Sequence, residues 1–297
     1  MKKILLATSA LVLVAGAAAA EVTVGGSARM GLIYDGEDTL MTSRVRIVFT
    51  ASGETDTGIS FGASMRADQS GQGNTQNGDS TVYVSGAFGK LTFGDVDSAA
   101  NALVGHVSGV GLTGLGDWNE LRYLGHEKTA ALYEYSAGAL TFALSAGQFE
   151  GLDTTGTPAV PNTANDDAMS IAVKYAVDAY TVALGYETAG DVDHIALGAS
   201  ATFGASTVKF VASDTDIAGD PTQYALSLDY AIGATTLTAF VTDEGAINNY
   251  GIGAAYDLGG GAKFVAGIVE VDDLNTTGTP AVSVGGTRAD IGLSFSF

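Results

Sequence analysis

Cysteine is absent from the 297 residues, and proline occurs only four times. The first absence excludes thiol catalysis, cysteine-ligated metal sites and disulfide staples, so rigidity has to come from the fold itself. Charge is scarce, at 15% of residues, and one-sided: 13 Lys and Arg stand against 33 Asp and Glu, a formal net charge of −20. Such a surface repels polyanions and excludes nucleic acid as a partner. Long apolar runs are missing as well. Beyond the first twenty residues nothing approaches the roughly 18 consecutive apolar residues of a membrane helix. Yet mean hydropathy is +0.24 and 46% of residues are apolar, so hydrophobicity is plentiful but never concentrated.

The first twenty residues read as a secretory signal peptide. Lys2 and Lys3 lead into the apolar stretch Ile4 to Val14, and small residues follow up to Ala20. Cleavage there leaves 21–297 as a single domain exported through the periplasm.

What is present is alternation. Val22, Val24, Ala28, Met30, Leu32 and Tyr34 share one face of a strand, as do Val45, Ile47, Phe49 and Ala51, and later Tyr224, Leu226, Leu228 and Tyr230. These segments match the 9–11 residues of a tilted membrane strand. A β-sandwich would alternate too; the connections separate the two. Tight joints such as 136–139, 176–179, 203–206 and 232–235 trade places with long polar stretches at 68–79, 95–127, 150–167, 214–222 and 272–287. That asymmetry predicts an all-β, 16-stranded antiparallel transmembrane barrel with short periplasmic turns and long outer loops. Alternation lapses at Leu91/Phe93, Leu132/Tyr133, Leu237/Phe240 and Phe264/Val265. At the C-terminus, Ile291, Leu293, Phe295 and Phe297 share one face, which is expected to meet lipid while the last strand pairs with the first.

Three stretches carry a resemblance: EVTVGGSARMGL after the leader, the block STVYVSGAFGKLTFGD at 80–95, and the terminal apolar alternation ending in Phe297. They resemble the Gram-negative general porins, most closely those of Rhodobacter-type alphaproteobacteria. The resemblance implies an outer-membrane homotrimer of 16-stranded barrels, a third loop folded into the lumen, and contact with outer-membrane lipid and lipopolysaccharide. It also implies that the Phe297 strand, with Phe295, Leu293 and Ile291, is read by the barrel-insertion machinery.

Parity assigns the pore-facing charges independently. Arg29, Arg44, Arg46, Arg66 and Arg288 all stand out of phase with their apolar neighbours, so they point into the lumen and gather on the first, second, third and last strands. A charge on the lipid face would cost about 2–4 kcal/mol, which explains the direction but not the clustering. Asp95, Asp97, Asp117 and Glu120 lie on the stretch that becomes the inward loop, with Glu127 beyond them. If it packs opposite the arginines, acids and bases face each other across water. The expected function is passive diffusion of small polar solutes and ions with modest cation preference.

Other signals are weaker. Residues 109–114 fit GxGxxG without the following helix of a dinucleotide site. His106, His126 and His194 have no metal-ligand spacing, so no metal or cofactor is expected beyond calcium at outer acids such as 95–97, 191–193 or 271–273. A substrate-specific channel, a barrel enzyme or a secreted adhesin are the alternatives; the enzyme is disfavoured because GxSxG is absent.

Overall fold

The computed structural model describes residues 20–70, 76–126, 129–147, 151–153, 160–162, 168–245, 247–272 and 285–297. The leader 1–19 lies outside them. The strands are β1 (Glu21–Tyr34), β2 (Thr39–Glu54), β3 (Ser60–Ser70), β4 (Gln76–Gly86), β5 (Gly89–Gly94), β6 (Ala130–Ala137), β7 (Leu140–Ala146), β8 (Gly151–Asp153) and β9 (Val160–Asn162). They continue with β10 (Met169–Val177), β11 (Tyr180–Ala189), β12 (Val192–Phe203), β13 (Ser206–Thr215), β14 (Gln223–Ile232), β15 (Thr235–Asp243), β16 (Asn248–Gly259), β17 (Ala262–Val271) and β18 (Gly286–Ser296). One short helix, α1 (Ala99–Val104), follows β5.

Sixteen of these strands close into one barrel, while β8 and β9 pair only with each other. Closure runs from Ser27↔Ser296 to Tyr34↔Ala289. Phe297 completes the seam by exchanging both backbone hydrogen bonds with Gly26, at 2.7 and 3.1 Å. Among the described residues the barrel has no unpaired edge, as strands in lipid require.

The barrel is apolar outside. In β10, Met169 and Ile171 are exposed while Ser170 and Ala172 between them are buried, and β14 repeats the pattern with Tyr224, Leu226 and Leu228 outward. Two-residue turns close the periplasmic end at 138–139, 178–179, 204–205 and 233–234. Each puts its first residue in the left-handed region, where Gly138, Gly204 and Gly233 meet no steric penalty and Asp178 takes the same place at φ 50°.

Contrary to expectation, the outer connections are not all long. Those at 35–38, 190–191 and 244–247 are short, and the polar stretch 68–79 shrinks to 71–75 because β3 and β4 continue into it. Gln69 pairs with Val45 and Asn77 with Ala67: polar residues beyond the bilayer keep the ladder going where composition suggests a loop. The four strands with lapsed alternation form nonetheless. In two of them the lapse has a cause, since Leu132 and Phe240 are buried against the segment after β5, as are Val269 and Val271 further along β17. The hydrophobic core lies inside the barrel, between its wall and that segment.

Candidate functional site: the lumen and its inward loop

The segment from Asp95 to His126 leaves β5 and enters the barrel. Ser98 caps α1, its hydroxyl accepting from the Asn101 N–H at 3.2 Å. The Ala99 and Ala100 N–H groups donate to the hydroxyls of Ser145 in β7 and Ser170 in β10, at 2.8 and 2.9 Å. The helix sits this deep because the wall beneath it is bare: a Cβ added at Gly185 would stand 2.5 Å from Ala100 Cβ, and one at Gly198 2.9 Å from Val104 Cγ1. Glycine weakens a strand but permits such close approach.

The loop then tracks along the wall. The Ser108 N–H donates to Ser227 Oγ at 3.0 Å, and its hydroxyl donates to Asp229 at 2.6 Å. Gly111 lies against Gly267, and Leu112 against Gly31 and Gly292 at the seam. There the buried Asp290 carboxylate accepts the N–H of Leu112 at 2.8 Å, the N–H of Thr113 at 2.6 Å and the Thr113 hydroxyl at 2.7 Å. A returning limb folds back, with Asn119 donating to Val107 O at 2.7 Å and Tyr123 to Gly105 O at 2.8 Å. On it Leu115 and Leu121 are buried against the wall and Asn119 against the outgoing limb, whereas Asp117 and Glu120, like Asp97 at the loop's start, are exposed.

The root of the loop gathers all three histidines of the chain. The Leu124 N–H donates to Glu187 Oε2 at 2.9 Å, and the same oxygen meets His194 Nδ1 at 2.9 Å. Tyr123 stands edge-on between His106 and His194, with centroids at 5.3 and 5.4 Å, and His126 Nε2 bonds Ser145 Oγ at 3.0 Å. Burial pushes His106 and His126 below the ordinary imidazole range, although Glu120, 3.8 Å from His106, opposes it. Burial and the Glu187 charge hold the Tyr123 phenol well above its usual value. The cluster packs the loop, and among the described residues no group of three or more His, Asp or Glu forms a metal site.

All five arginines from the parity reading lie on β1, β2, β3 and β18, which are contiguous through the seam. They are not equivalent. Arg46 faces Asp68 across β2 and β3 and bonds it at 3.0 to 3.1 Å; Arg66 bonds the same carboxylate at 3.1 Å and also Asp79. Arg29 reaches Leu112 O at 3.4 Å and Arg288 stacks over Trp118 at 5.6 Å. Arg44 stands directly opposite Arg29. The loop tip therefore reaches the edge of the arginine wall instead of lying wholly opposite it. Asp95 is half-buried at the loop's start, its N–H donating to Ser80 O at 2.9 Å. Glu127 lies outside the described residues.

Several lumen residues escaped the sequence reading. Asp68 and Asp79 bound a stretch whose composition reads as loop; Asp290, Glu187, Asp229 and Lys263 all stand out of phase with an apolar neighbour. Applying the parity rule to acids and lysines as well as arginines would have found them.

Comparison with known proteins agrees with this architecture. The family model described as Gram-negative porin matches residues 7–276. A porin of Rhodobacter capsulatus is 39% identical over 320 aligned residues, covering 93% of this chain and all of the relative. One from Fuscovulum blasticum is 29% identical with the same coverage. A solved porin structure superposes with a TM-score of 0.75 at 33% identity, covering 93% of this chain and all of that one. An engineered Rh. blastica porin gives 0.74 at 27%.

Proposed function

The chain belongs to the Gram-negative porin family and forms an outer-membrane channel, and on that premise we propose a passive, weakly cation-selective pathway for small hydrophilic solutes and ions. Its constriction is formed by Arg29, Arg44, Arg46, Arg66 and Arg288 on the wall and by Asp95, Asp97, Asp117 and Glu120 on the loop. The observation that carries this is the sidedness of the loop: its apolar residues are buried on the wall, and three carboxylates are exposed on the side facing open lumen. Opposed charges across a narrow aqueous gap favour small polar solutes over apolar ones. Asp68 and Asp79 neutralise two of the arginines, which tips the balance toward cations. Family membership points to a channel rather than an enzyme, and no catalytic residue is assigned.

A homotrimer is part of the same proposal. What supports it is β5, whose six residues fall short of the 9–11 that cross a bilayer. Beside it, Val22, Phe49, Ala51, Ala63, Met65, Val82 and Phe93 line an apolar outer hollow; a second copy covers this sector better than lipid. The role of Phe297 and its apolar row in membrane insertion, and calcium at outer acids, belong to the proposal too.

Refolded protein in a planar bilayer tests the reading through conductance steps and the zero-current potential under a salt gradient. Large steps in groups of three with a small cation-sided potential are expected. Silence from a heat-modifiable, folded barrel would sink the open-channel reading.

A further inference from the structure

We propose that Arg29, Arg44 and Lys263 form a binding subsite for tetrahedral oxyanions of the phosphate class, set into the lumen wall below the loop tip. The channel reading supplies only the access route for such an anion.

Register places the subsite. Arg44 pairs with Arg29 across β1 and β2, Arg29 with Ser294 across the seam, and Ser294 with Lys263 across β17 and β18. The four residues form one row along the hydrogen-bonding direction, with neighbours about 4.8 Å apart. Lys263 is out of phase with the exposed Phe264, so it faces inward like the arginines. The row borders a cavity of about 240 Å³ whose polar lining is Ser27, Arg29, Arg44, Lys263, Ser294 and Ser296. Leu112 of the loop tip also lines it.

Like charges directly opposite each other in a sheet are destabilising, so the Arg29–Arg44 pair calls for a counter-ion. The described residues place no bonded carboxylate there. No carboxylate among the described residues forms an ion pair with Arg29, Arg44 or Lys263, in contrast to Arg46 and Arg66. The buried Nε of Arg29 and of Arg44 have no hydrogen-bond partner, a feature shared with Arg66 Nε; what sets Arg29 and Arg44 apart is the lack of an ion-paired carboxylate among the described residues.

The nearby acids are already engaged or more distant. Asp290 accepts from three loop donors and acts on Arg29 through its field without bonding it. Asp257, opposite Lys263, accepts the Gly259 N–H at 2.7 Å. Asp68 is held by Arg46 and Arg66. Asp117 acts on both arginines only through its field. Two guanidinium forks, one ammonium and the hydroxyls of Ser27 and Ser294, on four strands, suit an oxyanion with acceptors in several directions better than a planar carboxylate with two; the Ser296 hydroxyl donates to Gly261 O.

Isothermal titration of inorganic phosphate into the detergent-folded full barrel, against chloride at equal ionic strength, tests the subsite without needing conduction. Saturable binding is expected, weakened about tenfold or more in R29Q and in R44Q, the loss typical of one charge-assisted hydrogen bond. R122Q, which removes an exposed guanidinium 3.8 Å from Asp220 and outside the row, should bind phosphate within about twofold of wild type, and heat-modifiable migration checks that each variant is folded. Absence of saturable phosphate binding to the folded wild type, or binding that R29Q and R44Q leave unchanged, would overturn the proposal. Binding in a barrel that is silent in bilayers would uphold the subsite while sinking the channel reading; open channels that bind no phosphate would do the reverse.

Discussion

The two sides of the lumen wall are built to opposite rules. From β7 and β10 round to β18 the inner surface is mostly small, polar or apolar residues, with Glu187, His194, Asp229 and Asp290 as anchors, and the loop lies on it; β1 to β3 are touched only by the loop tip and carry four of the arginines. Where the wall is covered, the groups that matter are hydrogen-bond acceptors and missing side chains: Ser145 and Ser170 receive the helix, Asp290 receives the tip, and Gly185 and Gly198 make room. Where it is open, long cations reach into water. A covered surface must satisfy every backbone donor laid on it, whereas an open one is free to carry charge. Stability of the loop and selectivity of the pore are thus assigned to different walls, and each can be perturbed without the other.

The largest effect is expected from the covered side. D290A removes the acceptor of two backbone N–H groups and one hydroxyl at once, a loss on the order of 3 kcal/mol in loop docking. Single-channel records should show noisy, higher conductance from a barrel that still folds. G185V comes next. The new side chain overlaps Ala100, and overpacking of this kind costs about 1–3 kcal/mol; the result should be a destabilised helix, read as faster hydrogen exchange at the Ala99 and Ala100 amides with the barrel amides unchanged.

Selectivity should respond to the open side and leave docking alone. R44Q removes an unpaired charge and should move the zero-current potential toward cations, with hydrogen exchange of the loop unaltered. R46Q also releases Asp68 from one partner, leaving Arg66 to hold it, and should move the potential less.

The smallest effect expected is pH. Burial lowers the pKa of His106 and His126, so the docked loop binds fewer protons than a released one. Docking is then strongest above the ordinary histidine value of about 6.5 and weakens as pH falls below it. Faster exchange of the Leu124 amide in mild acid would register this. An exchange rate independent of pH after correction for intrinsic chemistry would show that the histidines pack the root without titrating there.

How much of this the chain announces depends on range. Period-two alternation is local, so the barrel, its closing strand and the inward direction of the arginines are legible in the sequence. The pairing of Arg46 with Asp68 was within reach, but Asp68 sits among Gln, Ser and Gly residues that read as loop although the ladder continues through them. The anchors were not legible in kind. Parity turns Asp290 inward, but its partners Leu112 and Thr113 are 178 and 177 residues away, and no local pattern says that a loop will cover it. Lapsed alternation at Leu132 and Phe240 was the trace the loop left in the sequence: apolar groups facing the lumen mark where something apolar lies on the wall.

The division between the two walls is tested most directly by measuring zero-current potential under a salt gradient for wild type, R44Q and the loop double variant D117N/E120Q. The account predicts a small cation-sided potential in wild type, a larger one in R44Q, and a shift toward anions in the loop variant, since wall and loop bear opposite signs across the same aqueous gap. Potentials that coincide in all three folded, conducting channels would contradict it, because the ion path would then bypass both surfaces.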